Sequence, residues 1–252
     1  MVDRLDATLS KGLMILETLA ASGSPLGVTE IGARLGMNKS SVHRLVQTLC
    51  RMGYIVQEAD RSYRTGLKLW RLGCQVMDRH RVVGLCRGAM DGLLRNSGES
   101  VHLSMLEGLH TLYVDKLDSD QPVRAYTERG GTAPLHCVAT GKVLLAHDYA
   151  ALRAALLTSG LERHTPATIV DPTALDREMA AIRAQGYAIN RGEYRGDVGG
   201  VAAPILAPDG KLLAAIGISG PLSRLTEERV RELVPAVIDA ARSVCDLLRQ
   251  GG

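Results

Sequence analysis

The residues of this 252-residue chain best equipped for recognition chemistry begin at Lys39. Lys39, Ser40, Ser41, His43, Arg44 and Gln47 occupy the polar side of a segment whose apolar residues, Val42, Leu45, Val46 and Leu49, recur at helical spacing. Arg can pair bidentately with guanine and Gln with adenine, so Arg44 and Gln47 are the candidate base readers. Lys39, Ser40 and Ser41 stand near the helix start, where free amides and the helix dipole favour phosphate oxygens. Arg61 and Arg64 follow at or near the tip of a candidate hairpin, placed to reach a flanking backbone or minor groove. The plainer reading of Ser41 and His43 is a solvated or locally capped face.

A second group lies in PLHCVATGK, residues 134–142. Thr140 and Gly141 sit where a helix begins, so backbone amides there could hold a carboxylate or polarised carbonyl, and Gly141 would permit close approach. Lys142 reads as a surface or salt-bridged lysine. Adjacent His136 and Cys137, with His102, invite a zinc or thiolate reading. That reading is set aside because neighbours on an extended chain point to opposite faces and no spaced ligand set completes a site. No metal or cofactor is expected, and no GxSxG, HExxH, P-loop or dinucleotide fingerprint suggests catalysis.

Several elements must position these groups. Leu5, Leu9, Leu13, Leu16 and Leu19 mark a first helix, stopped by Gly23 and Pro25; a short second helix runs from a Thr29 cap to Gly36; the third begins at an Asn38 cap. Residues 54–57 and 62–65 then form the hairpin. Helical spacing resumes from Leu67 to about Leu94 with no flexible linker, which predicts one helix joining two domains. Beyond it, strands are expected at 100–106, 111–117, 123–127, 187–190, 201–206 and 212–219, and helices at 140–146, 149–157, 171–185 and 226–249. A mixed, mainly antiparallel sheet carrying helices is the natural assembly.

Composition limits the possibilities. Phe is absent and aromatics are only 3% of residues, so single-strand readers built on aromatic platforms are excluded, and a ligand is expected to be held by amides, glycine-lined walls and polar side chains. Five dispersed cysteines without a CxxC pair read as reduced thiols. No apolar run reaches membrane-spanning length, and Asp3 and Asp6 stand where a leader peptide would be basic, so a cytoplasmic protein without membrane partners is expected. The net charge of +3 is uneven: residues 1–75 carry 10 Lys and Arg against 6 Asp and Glu, and the rest 20 against 21.

In order along the chain, LSKGLMILETLA, VTEIGARLGMNKSSVHRLVQTLCRMGYI, YRTGLKLWRLG, ESVHLSML, PLHCVATGKVLLA, GYAINRGEYRGDVGGVAAPI and AAIGISGPLSRLT resemble the IclR family of bacterial transcriptional regulators, essentially end to end. The resemblance implies an α+β protein: a winged helix-turn-helix domain at 1–66, a linker helix at 67–80 and a GAF-like effector-binding domain at 81–252. It implies double-stranded operator DNA and a small metabolite, such as an organic acid, as partners, and a homodimer or homotetramer regulating a catabolic operon. The family's pocket maps onto Ala139, Thr140, Gly141, Asn190, Glu193, Gly200, Gly217 and Ser219. Gly199, Gly200 and Gly217 would widen it, unless they are only strand and turn glycines. The alternatives are a small-molecule enzyme on the second domain with an appended helical module, or a protein-interaction module using the third helix.

Overall fold

A computed structural model describes residues 5–250. Asp3 and the outer bounds of the first and last expected domains lie outside the described residues. The chain divides into two compact units, Met1–Arg79 and His80–Gly252.

In the first unit, α1 (Ala7–Ala20), α2 (Val28–Leu35) and α3 (Lys39–Arg51) precede β1 (Ile55–Gln57), β2 (Tyr63–Thr65) and α4 (Leu67–Met77). Their shared core is Ile15, Leu19, Leu26, Ile31, Val42, Val46, Ile55 and Tyr63. Each such buried aliphatic side chain contributes about 1.5–3 kcal/mol relative to exposure. Only the C-terminal half of α1 takes part; Leu9 and Leu13 remain 63% and 49% exposed. Thr29 does not cap α2. The helix starts two residues earlier than that cap implies, at Val28; Gly27 takes the cap position, and its N–H donates to the Glu30 carboxylate at 2.8 Å. Asn38 caps α3 as expected, accepting from Ser41 N–H at 2.9 Å. β1 and β2 pair antiparallel, and Leu26 and Tyr63 exchange two backbone hydrogen bonds of 2.9 Å that tie the α1–α2 loop to the hairpin.

The single helix expected from Leu67 to about Leu94 is two. α4 ends at Met77 and α5 (Arg81–Ser97) starts after His80, which adopts a non-helical φ of −94° and ψ of 69°. Asp78, Arg79 and His80 include no Gly or Pro, so the break had no marker in the sequence. The two helices also differ in burial: α4 buries none of its residues, whereas α5 buries Val82, Cys86, Met90 and Leu93.

The second unit is built on a six-stranded sheet: β3 (Ser100–Glu107), β4 (His110–Leu117), β5 (Thr132–Pro134), β6 (Ala188–Arg191), β7 (Val198–Leu206) and β8 (Leu212–Pro221), in spatial order β5-β4-β3-β8-β7-β6. Every neighbouring pair is antiparallel, not mixed. The strand expected at 123–127 does not form; the sheet edge beside β4 is instead the short β5. Side chains alternate across the pleat. Val101, Leu103, Val201, Ala203 and Ile216 pack with α5 and α9 (Glu227–Gln250) on one face. Ala202 and Ala215 pack on the other face with α6 (Ala139–His147), α7 (Tyr149–Ser159) and α8 (Pro172–Gln185). Small residues on that second face let α6 lie close to the sheet.

Candidate functional site

The polar face of α3 forms because the apolar residues of this helix point inward: Val42 and Val46 are buried and Leu45 and Leu49 half-buried, leaving Lys39, Ser40, His43 and Arg44 exposed and Ser41 and Gln47 half-buried. The Ser40 hydroxyl donates to Asn38 Oδ1 at 2.9 Å, so this serine, not Ser41, is engaged in side-chain capping. Arg61 holds a left-handed φ of 67° at the hairpin turn and is exposed, while Arg64 is ion-paired across the hairpin with Glu58. Lys39, Arg44 and Arg61 have no carboxylate partner among the described residues, which leaves their charge available to phosphates.

In the second unit a cavity of about 250 Å³ opens between the sheet and the start of α6. Of the residues assigned to a pocket, Ala139, Thr140, Asn190, Gly200 and Ser219 line it. Gly141, Glu193 and Gly217 do not, and each has a structural reason. A Cβ on Gly141 would sit 2.5 Å from Thr111 Oγ1 and 2.7 Å from the Leu135 carbonyl. The glycine therefore admits protein, not ligand. Gly217 likewise faces the Val201 carbonyl, at 2.5 Å from a hypothetical Cβ, and Gly199 faces Leu222 at 2.8 Å. Even at Gly200 the missing methyl would point toward the Ile218 carbonyl at 2.6 Å, so these glycines serve close strand packing and do not widen the cavity.

Glu193 turns instead toward Lys142, which is no surface residue: its ammonium is 2.8 Å from both Glu178 and Glu193. This triad, with Lys142 and Glu193 buried and Glu178 partly exposed, ties α6 to α8 and to the 192–197 loop. Thr165 and Thr168 hydroxyls donate to the Gly192 and Glu193 carbonyls at 2.7 and 2.6 Å, fixing the same loop from the other side. Held this way, the loop delivers Tyr194 and Arg195 to the cavity. The resemblance maps only Glu193 of GEYRGD onto the pocket; nothing in the residue pattern singles out Tyr194 or Arg195.

The lining also includes Tyr113 and Tyr126, so with Tyr194 three of the seven tyrosines face one cavity. Though scarce in the chain, aromatic side chains are thus concentrated at this cavity, beside the amides and polar side chains expected there. His102 lies deep in this wall, its Nε2 2.6 Å from Ser219 Oγ and its Nδ1 3.2 Å from Thr127 Oγ1. Burial, assisted by the Lys116 charge, pushes its pKa down to about 4, so the ring is neutral and donates through one nitrogen while accepting at the other. Arg195 is exposed at the loop and makes no ion pair among the described residues. Arg195 and the first residues of α6, Ala139 and Thr140, line the cavity together with the Glu128 carboxylate and the three tyrosines, so donors for an anionic group are present beside the rings.

His102 does not join His136 and Cys137. Residues 135–137 form a turn, not a strand, so the two neighbours need not point apart, and His164 from the α7–α8 loop completes a cluster whose ligand atoms lie within 4.8 Å of one another. The spaced third ligand held to be missing is present, 27 residues downstream of Cys137 and without any motif to announce it.

A helix-turn-helix unit with a basic reading helix, joined to a sheet domain enclosing a small-molecule cavity, defines a ligand-responsive DNA-binding protein. Residues 8–59 match the IclR helix-turn-helix domain and residues 74–246 the bacterial transcriptional regulator IclR C-terminal domain; the chain belongs to the IclR family of transcriptional regulators. It is similar to the HTH-type transcriptional regulator BhcR of Paracoccus denitrificans, 35% identical with 94% of this chain and 85% of that protein covered. It is also similar to the glycerol operon regulatory protein of Streptomyces coelicolor, at 35% identity with 94% of each chain covered. The crystal structure of an IclR homologue from Microbacterium hydrocarbonoxydans complexed with 4-hydroxybenzoate matches with a TM-score of 0.87, 27% identity and coverage of 97% of this chain and all of that one. The protein is accordingly a transcriptional regulator with a C-terminal effector-binding domain, and the enzyme reading is set aside. Among the described residues no helix is long and apolar enough to cross a membrane.

Proposed function

We propose that the protein binds double-stranded operator DNA in the cytoplasm as a homo-oligomer, through the exposed face of α3 and the hairpin, and that a small organic acid in the cavity controls this binding. The observation that carries the effector class is the convergence of Arg195 and the α6 amides on a cavity walled by Tyr113, Tyr126 and Tyr194. A carboxylate is held by Arg195 and the α6 amides, an unsaturated or aromatic body stacks on the rings, and Ser219, Asn190 and Thr140 supply hydrogen bonds to hydroxyl groups. The homologue complexed with 4-hydroxybenzoate carries a ligand of that class. Oligomerisation draws support from Leu9 and Leu13 on α1 and Leu67 and Trp70 on α4, all exposed.

A panel of hydroxylated and aromatic acids, each beside its uncharged amide, tests the reading by thermal shift. Acids are expected to stabilise the protein and their amides not, with the shift lost in Arg195→Ala; equal shifts from acid and amide would reject the charge-based anchor. Fluorescence anisotropy on DNA from upstream of the protein's own gene then reads whether the same acid changes operator affinity.

A further inference from the structure

We propose that His136, Cys137 and His164 form a zinc-binding site, separate from the effector cavity and adjoining it through Tyr194, with one coordination position left open to water. One nitrogen from each imidazole and the thiol sulfur already lie within 4.8 Å of one another. Tetrahedral zinc with bonds of 2.0–2.3 Å requires ligand atoms about 3.5 Å apart, so side-chain adjustments of about 1 Å close the site. Two imidazoles and one thiolate form a borderline-soft donor set that suits zinc and disfavours magnesium or calcium.

Two observations show that the ligands are prepared. His136 Nε2–H donates to the Glu162 carbonyl at 3.0 Å, an outer bond that fixes the tautomer and leaves the ring's lone pair on Nδ1. His164 Nε2 is buried with no hydrogen-bond partner, a state that costs stability unless something occupies the nitrogen. The loop bearing His164 is itself anchored, since the His164 and Thr165 amides donate to Thr168 Oγ1 at 3.1 and 2.8 Å. The three ligands therefore come from two tethered segments, the turn before α6 and the α7–α8 loop.

Binding involves no redox change. The Cys137 S–H gives its proton to solvent as the zinc–sulfur bond forms, and the imidazoles ligate as neutral rings. On the far side, the His164 ring meets Tyr194 edge-on, with centroids 4.9 Å apart, and Tyr194 lines the effector cavity. The ion would sit one ring behind the effector.

The test uses the full-length protein stripped of metal, titrated with zinc against a chromophoric chelator and separately with cobalt as a spectroscopic probe. One zinc per chain is expected, with a thiolate-to-cobalt charge-transfer band. Cys137→Ser should abolish that band, His164→Gln should weaken zinc binding at least tenfold, and Cys245→Ser should change neither. Circular dichroism establishes that each variant is folded; because the His164 ring is only half-buried, His164→Gln remains decisive if Cys137→Ser misfolds. Absence of stoichiometric binding, a cobalt spectrum without the thiolate band, or affinity unchanged in a folded His164→Gln would each overturn the proposal.

Discussion

The ammonium of Lys142, 1% exposed, is shared between two carboxylates, yet Glu193 Oε2 has no hydrogen-bond partner and burial pushes the Glu193 carboxyl pKa up. Desolvating such ions costs several kcal/mol each, so the triad holds only while every partner is present. Lys142→Met should destabilise the second unit by about 3–5 kcal/mol, read as a lower urea midpoint, and adding Glu193→Gln should recover part of the loss by removing the stranded charge. If the double variant were no more stable than the single one, the uncompensated carboxylate would not be the cause. His102 supplies a pH prediction. Its folded pKa lies near 4 against an ordinary 6.5, so between those values the unfolded chain binds a proton that the native protein does not, and stability falls as pH falls through that window. The full loss is about 3 kcal/mol. His102→Gln should flatten the dependence of the urea midpoint between pH 7 and pH 4 relative to wild type. On the DNA side, Arg44→Ala should cost about 1–3 kcal/mol of operator affinity and relax selectivity at one base pair. Equal discrimination between operator and scrambled duplex before and after the change would remove Arg44 from the base readers.

Elements with strong local signals were legible: Asn38 before α3, Asp171-Pro172 before α8, and glycines at left-handed φ after α2 and α8 all mark real boundaries. What the sequence could not show depends on tertiary contact. The break after Met77 carries no breaker residue, β5 is a three-residue edge strand defined by its pairing to β4, and His164 meets Cys137 only because a loop folds back. The glycines illustrate the same limit. Flexibility and close approach are both reasons for a glycine, and only the neighbours decide whether the approaching group is ligand or backbone. Gly141→Ala is a direct probe, because its methyl would press on the Leu135 carbonyl, which cannot rotate away. Overpacking of this kind costs about 1–3 kcal/mol, and since it moves the first turn of α6 it should also weaken effector binding. Gly88→Ala, where a methyl would meet nothing within 4 Å, is the matched control and should leave effector affinity unchanged.

For the whole molecule, the uneven charge and the exposed apolar helices belong to one argument. The first unit holds the positive excess, and a single α3 can read only part of a site, so under the proposed homo-oligomer the affinity at an operator would depend on how many copies engage it together. The exposed leucines on α1 lie outside the unit's own core, since Ile15 and Leu19 complete that core without them. Leu9→Glu with Leu13→Glu should therefore leave the fold intact while lowering the mass seen by light scattering, and should weaken operator binding far more than non-specific DNA binding. Effector control adds a thermodynamic constraint. If the acid binds in the cavity and changes operator affinity by some factor, operator must change acid affinity by the same factor, because both describe one coupling free energy, typically 1–3 kcal/mol. Titrating acid into free protein and into the protein–operator complex by calorimetry should give affinities whose ratio equals the ratio of operator affinities with and without saturating acid. Unequal ratios would mean that the acid binds at more than one site, or alters assembly as well as conformation. Repeating the pair of titrations with the α1 double variant separates these cases: a coupling carried within each chain survives dissociation, whereas one carried by the spacing of two reading helices disappears with the oligomer.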